Sequence, residues 1–377
     1  MKELHLISFN VPYPADYGGV IDVFYKIKAL KKAGVKVHLH TFQYGREEAD
    51  ILSSLCEEVY YYKRKLYKDP FFSKLPYIVA TRANDELLSN LLKDRHPIIF
   101  EGIHCCYFID NPQLENRVKL VRMHNIEHIY YKNLAKIERN FFKKYFFYKE
   151  SERLKKFQKQ IRFADLIAAI SPDDEKILKL KFENVFFLPP FHANEHIGPA
   201  KKVEEYALYH GNLGVGENNE AALYLVKEVF NDLDYPLIIA GNNPSKELRE
   251  AVEQQPNSKL VDHTSTDKID ELISKAKINI LPTFQGTGMK LKLINVLFKG
   301  GHCIVNRKMV HNTGLESLCI QANNAYAMKH AVEACRNKDF SQAELEHRIA
   351  YLNQAFNNQV NAQLLLAQIA QFESVSV

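Results

Sequence analysis

Tryptophan is absent from the 377 residues, methionine is down to 5 and glycine to 15, and the 6 cysteines never fall at CxxC spacing. Cysteines so few and so scattered exclude both a disulfide-stapled scaffold and a zinc ribbon, and read as buried thiols. No apolar run reaches the roughly 18 residues of a membrane-spanning helix. Low-complexity tracts are also missing. With 50 basic against 45 acidic residues the net charge is +5, so nothing demands nucleic acid, while an anionic substrate or surface stays compatible. Neither GxxxxGK[ST] nor GxGxxG occurs, which removes the Walker loop and the dinucleotide fingerprint.

What is present is a globular composition, 46% apolar and 25% charged, in a chain long enough for two domains with a core each. The amino terminus, MKELHLISFN, enters a strand pattern at once with no leader pattern, and a cytoplasmic protein is expected. Residues 3–9 read as a strand, NVPYPADYGGV as a loop, 21–33 as an amphipathic helix and 35–42 as the next strand. That is a βαβ unit with Gly18 and Gly19 at the strand-to-helix junction. Short buried strands follow at 98–100, 118–123, 166–171 and 185–188. Segment 118–123 runs straight into His124, Asn125, Glu127 and His128, and the carboxyl end of a strand is where α/β proteins keep their chemistry. Two tracts, YYYKRKLYKDPFFSKLPY and FFKKYFFYKESERLKKFQKQ, interleave aromatic and basic residues. Such a surface can lie on an anionic bilayer or form core aromatics behind a solvated charged face.

Between 189 and 205 the apolar periodicity gives way to prolines and charges, which marks a linker. A second series then opens: strand 206–210, loop GNLGVGENN, helix 220–230, strand 236–240, loop GNNPS and a further helix, strand 259–261 and helix 267–276. The most informative stretch, KINILPTFQGTGMKLKLINVLFKGGHCIVN, reads as strand 278–281, a small loop with Gly286, Thr287 and Gly288, an amphipathic helix 289–299 and strand 302–306. Lys290 and Lys292 fall in the predicted first turn, against the helix dipole, an arrangement suited to an anion docked on the turn's unpaired N–H groups. Helices 326–337 and 343–370 close the chain, and the apolar QLLLAQIAQF is expected to pack back on the first domain. The fold class implied is α/β, two facing doubly wound domains with a ligand cleft between them.

These residues resemble a family. The chain looks like a GT-B fold glycosyltransferase of the group 1, or GT4-like, family over nearly its whole length. PTFQGTGMKLKLINVLFKGG is similar to that family's nucleotide-sugar signature and YHGNLGVGENNEAALYL to the start of its donor domain. RMHNIEH resembles the segment bearing its active-site histidine, and PYPADYGGV its amino-terminal glycine loop. The resemblance implies two Rossmann-like domains, 1–190 with about 355–377 on the acceptor side and 205–350 binding the donor. It implies a retaining hexosyltransferase, working without metal or cofactor, that moves a sugar from a nucleotide-diphosphate sugar to a glycan or lipid-linked acceptor in polysaccharide biosynthesis. Lys292 would neutralise the diphosphate with help from Lys290, and Gly286, Thr287 and Gly288 would lie near the donor sugar. Gly18 and Gly19 would approach the phosphates from the other domain, and His124 would contact the transferred sugar. Asn125 and Glu127 are expected on the acceptor side, and His263 and Thr264 near the base. Peripheral contact with the inner face of an anionic membrane is compatible with the basic aromatic tracts.

The family pattern is broken at three places. Asn295 stands where the family has a ribose-binding Glu, Thr287 where its other Glu falls, and Asn212 where many relatives carry an Arg. A catalytically weak or inactive carbohydrate- or nucleotide-binding protein of the same fold is therefore the alternative. HNIEH also matches HxxEH, a zinc-protease pattern, but that chemistry needs both histidines on one helix face, and His124 directly follows a strand. His38 and His40 share a strand face, an arrangement of a hydrogen-bonded pair or of metal ligands.

Overall fold

The computed structural model describes residues 2–66, 74–138, 140–200, 202–284 and 289–373. They form two compact units, Met1–Ala193 with Ala355–Val377, and Asn194–Gln354.

In the first unit, β1 (Glu3–Ser8), β2 (Lys36–Gln43), β3 (Glu58–Lys63), β4 (Ile98–Glu101), β5 (Lys119–Met123), β6 (Leu166–Ala169) and β7 (Val185–Phe187) make one sheet in the order 3-2-1-4-5-6-7. In the second, β8 (Glu204–His210), β9 (Leu237–Ala240), β10 (Ser258–Val261), β11 (Ala276–Leu281), β12 (His302–Val305) and β13 (Ile320–Gln321) follow the order 10-9-8-11-12-13. Every pairing is parallel. Helices cover both faces, so β4, β5, β6, β11 and β12 are buried at every residue, and such strands read as short continuous apolar runs. In each sheet the strand order reverses beside the first strand, between β1 and β4 and between β8 and β11. Beyond the carboxyl ends at that reversal a doubly wound sheet leaves its ligand crevice.

The carboxy-terminal helix Asn358–Glu373 buries Ala362, Leu365 and Ile369 in the first unit's core beside Val23 and Ile27 of helix Gly18–Lys32, the return expected from its apolar sequence. The single helix expected over 343–370 is two, Gln342–Ala355 and Asn358–Glu373. The break has a local cause. Phe356 is buried and its carbonyl accepts from His192 Nε2 at 2.8 Å, while Asn357 Oδ1 accepts from the N–H of Gln359 at 2.8 Å and starts a new helix. No helix among the described residues is long and apolar enough to cross a membrane.

Candidate functional site

At the carboxyl end of β11 the chain passes Thr283 and, beyond the undescribed segment 285–288, enters helix Leu291–Lys299. Gly286, Thr287 and Gly288 lie outside the described residues. The helix starts two positions later than expected, because Lys290 is extended, with φ −90° and ψ 105°, and is the residue before the first turn. Lys292 alone therefore belongs to that turn. Its side chain runs inward over the Tyr209 ring, with Nζ 4.9 Å from the centroid, and donates to Asn218 Oδ1 at 2.9 Å and Tyr209 Oη at 3.2 Å. Burial drives its ammonium down to about 8, Glu217 nearby opposes the shift and Lys290 adds to it. Both acceptors are neutral.

Lys290 is engaged differently. Its Nζ lies 3.1 Å from Glu217 Oε1, and the same carboxylate accepts from the Thr283 hydroxyl. Glu217 stands in the first turn of helix Gly216–Tyr224, where the dipole suits an anion. Two lysines and one glutamate leave this corner with a charge of +1, half what the lysines alone imply. Glu217, Asn218 and Tyr209 were not singled out from the sequence. The signal was the loop GVGENN itself, whose carboxylate and amide face the lysines only once β8 and β11 lie side by side.

The remaining donor-side candidates are mostly loop builders. Asn212 Oδ1 accepts from the N–H of Gly214 at 3.1 Å, and its carbonyl accepts from Asn218 Nδ2 at 3.0 Å. Asn242 clamps the neighbouring loop, its Oδ1 accepting from the N–H of Thr264 at 2.7 Å and its Nδ2 donating to that residue's carbonyl at 3.2 Å. His263, at φ +53°, is exposed. The two loops touch where a Cβ on Gly241, at φ +155°, would sit 1.8 Å from the Gly211 carbonyl oxygen, so only glycine fits. Asn295 is half-buried and its Oδ1 accepts from Asn194 Nδ2 at 2.9 Å.

In the first unit the strand ends hold a closed charge cluster. Asp22, from helix Gly18–Lys32, receives Lys26 Nζ at 3.1 Å, Arg122 Nε at 3.1 Å and the N–H of Phe191 at 2.7 Å. Glu101, at the end of β4, receives Lys26 Nζ at 2.7 Å on one oxygen and meets His124 Nε2 at 2.8 Å on the other. Burial alone would raise both carboxyls. For Asp22 the charges of Arg122, Lys26 and His124 outweigh it, and for Glu101 Lys26 and His124 do, so both stay below their ordinary values. His124 turns Nδ1 towards Asp22 Oδ2 at 3.7 Å and its ring meets the Phe9 ring edge-on. A Cβ on Gly19 would lie 2.6 Å from Phe9 Cζ, so this glycine makes room for the aromatic that covers His124. Gly18 opens the helix.

Glu127 begins helix Glu127–Ile137 and is 4% exposed. Burial pushes its carboxyl up to about 7, Asn125 Nδ2 at 3.5 Å opposes that and Asp174 adds to it. A carboxyl poised there can exchange a proton near neutrality. His128 points elsewhere, to Gln158 Oε1 at 2.6 Å. His124 and His128 thus do not converge, and the zinc-protease reading falls.

No family model matches the chain. A Klebsiella pneumoniae protein described as an uncharacterized 44.6 kDa protein in the cps region is 26% identical over 361 residues, 89% of this chain and 92% of its own. Solved structures match it end to end. Sucrose-phosphate synthase of Thermosynechococcus elongatus superposes with a TM-score of 0.70 at 15% identity, covering 100% of both chains. TarM of S. aureus, in complex with fondaparinux, alpha-GlcNAc-glycerol and UDP, gives 0.67 at 12%, covering 98% of this chain and 100% of its own. HepE of Anabaena, in complex with UDP and glucose, gives 0.65 at 9% with the same coverage. The chain has the GT-B fold of these proteins, and at such identities the likeness carries the fold.

Proposed function

We propose that this protein is a retaining glycosyltransferase that moves a sugar from a nucleotide-diphosphate sugar to a glycan or lipid-linked acceptor by a transfer step that uses no metal. The observation that carries the reading is Lys292, a half-buried cation in a helix first turn at the strand reversal, held by neutral oxygens alone among the described residues. Departure of a nucleoside diphosphate needs fixed positive charge where the leaving oxygens develop theirs. Lys292 and the N–H groups of its helix turn supply it, and Lys290 joins when the anion competes with Glu217. In this reading His124 meets the transferred sugar with a ring whose orientation Glu101 fixes, and Glu127 and Asn125 belong to the acceptor side. Gly18 and Gly19 then serve the donor phosphates, and Asn212, His263 and Thr264 the region of the base. The first unit takes the acceptor and the second the donor.

Helix Phe141–Phe157 exposes Phe141, Phe142, Tyr145 and Tyr148 among lysines, which supports a peripheral contact with the inner face of an anionic membrane in a cytoplasmic enzyme. A second reading, binding without turnover, is favoured by the ion pair that already occupies Lys290.

Thermal denaturation with UDP, GDP, ADP and CMP, followed by product analysis with the stabilising nucleotide's sugars, separates the two. Stabilisation by one nucleoside diphosphate together with product formed in the presence of chelator is the expected result. Stabilisation without product for any donor would leave the binding protein standing, and no stabilisation by any of the four would remove the enzyme with these donors and the nucleotide-binding reading.

A further inference from the structure

At the amino ends of the first unit's strands, opposite the ends that carry Glu101 and His124, three metal-ligating side chains meet. Glu3 opens β1, His38 lies in β2, and His96 sits just ahead of β4. One donor atom from each falls within 4.8 Å of the others. His38 Nε2 is 3.0 Å from Glu3 Oε2, and His96 Nε2 is 3.6 Å from the same oxygen. A tetrahedral ion with bonds of about 2.0 to 2.1 Å spaces its ligands by roughly 3.3 Å, and the two separations bracket that value.

The supporting groups are those a ligand set requires. His38 Nδ1 faces Glu58 Oε2 at 3.1 Å, and the Tyr60 hydroxyl donates to that same oxygen at 2.6 Å. A carboxylate on the far nitrogen fixes the tautomer that leaves Nε2 able to ligate, and orients the ring. The His96 ring lies parallel to that of His38, at 5.8 Å and 10°. Its loop is tied down by Asp94, whose Oδ1 accepts from the His96 N–H at 2.9 Å while the carboxylate also pairs with His5 and Arg117. The His38 side chain is 10% exposed and that of His96 38%, so one coordination direction opens to water. Lys36 Nζ approaches Glu3 Oε1 only to 3.9 Å, and its closer partner is Glu57 at 3.0 Å.

The other such cluster, Asp22 with Glu101 and His124, differs in the decisive respect, because Lys26 and Arg122 already fill it. His40, which shares a strand face with His38, is not a ligand here, since it bonds His5 and Tyr62.

We propose that Glu3, His38 and His96 bind one divalent cation of the zinc class, which imidazole and carboxylate donors suit. The ion joins β1, β2 and the loop ahead of β4, apart from any sugar chemistry at the other end of the sheet.

The test uses the untagged full chain, stripped with chelator and titrated with zinc chloride by calorimetry and by thermal denaturation near neutral pH. One equivalent binds and raises the melting midpoint, and magnesium does neither. His96→Ala, at a half-exposed position that leaves the core intact, lowers zinc affinity by more than about 100-fold, and Glu58→Gln by about 10 to 100-fold. His347→Ala, which removes an exposed histidine elsewhere, changes nothing. Equal zinc affinity in the wild type and His96→Ala, or equal binding of magnesium, would overturn the site.

Discussion

In the first unit Asp22, Lys26, Glu101, Arg122 and His124 share one buried cluster in which every charge meets an opposite one at hydrogen-bond distance. In the second, Lys292 is half-buried against an aromatic face and two neutral oxygens, and the nearby carboxylate pairs with Lys290. Both arrangements sit at strand ends beside a reversal of strand order, yet they do opposite things. A closed cluster has already exchanged water for partners, and what it supplies is a fixed arrangement of β4, β5 and the Gly18–Lys32 helix. A desolvated cation with neutral partners carries an unmet demand for negative charge, and that demand is available to a ligand.

The same substitution in both places draws the difference out. Arg122→Met keeps most of the volume but leaves Asp22 with one fewer cation and strips the carbonyls of Ala169 and Pro189 of a donor. Removing one partner of a buried pair costs about 3 to 5 kcal/mol, so the unfolding free energy should fall by that much, read as a lower denaturant midpoint with an unchanged slope. A midpoint like that of the wild type would show that Lys26 and the Phe191 N–H satisfy Asp22 unaided.

Lys292→Met should reverse the pattern, with folding held or improved because a desolvated charge is gone, and nucleoside diphosphate affinity lowered by about 1.5 to 3 kcal/mol, the range for a hydrogen bond to a charged group. The ammonium is expected to titrate near 8 in the folded chain and about 10.4 when unfolded. Between those values the unfolded chain binds more protons at this lysine, so its contribution to stability, read as the difference between wild type and Lys292→Met, rises with pH across that window. Diphosphate affinity moves the other way, falling as pH climbs through about 8 and the cation is lost. Calorimetry and melting curves along a pH series, run on wild type and variant side by side, check both contributions, and the part of each slope due to Lys292 should be missing from the variant. An affinity unchanged by the substitution would place the phosphate elsewhere.

The units differ too in how far the sequence showed them. Strand positions were readable because parallel strands covered on both faces are short apolar runs, and Leu365 and Ile369 announced their return by being too apolar for solvent. The place of Lys292 in a helix first turn was readable because it is set locally, by a strand, a loop and a helix start within one stretch of chain. The partners were not. Glu217 meets Lys290 only because β8 pairs with β11, and Asp22 meets Glu101 and Arg122 only through the reversal between β1 and β4. Such contacts depend on register between distant segments, which no periodicity encodes. The Lys290 placement failed for the opposite reason, since a boundary shift of two residues is below the resolution of any helical pattern.

The smallest expected effect concerns Asn295, where the comparison between a satisfied and an unmet group becomes finest. Its amide oxygen already accepts from Asn194 at 2.9 Å, which leaves the amide nitrogen, a donor, to face a ribose. A ribose hydroxyl is better served by a charged acceptor than by a neutral amide. Asn295→Glu places two oxygens there, so that one can keep the bond from Asn194 while the other takes the hydroxyl. Donor binding should tighten by about 1 kcal/mol, with the melting midpoint unchanged because the Asn194 contact survives. If the longer side chain instead loses Asn194, a partly buried carboxylate without its donor lowers the midpoint. Nucleotide affinity and melting temperature read on the same sample distinguish the cases, and weaker binding with intact folding would show that no ribose meets this helix.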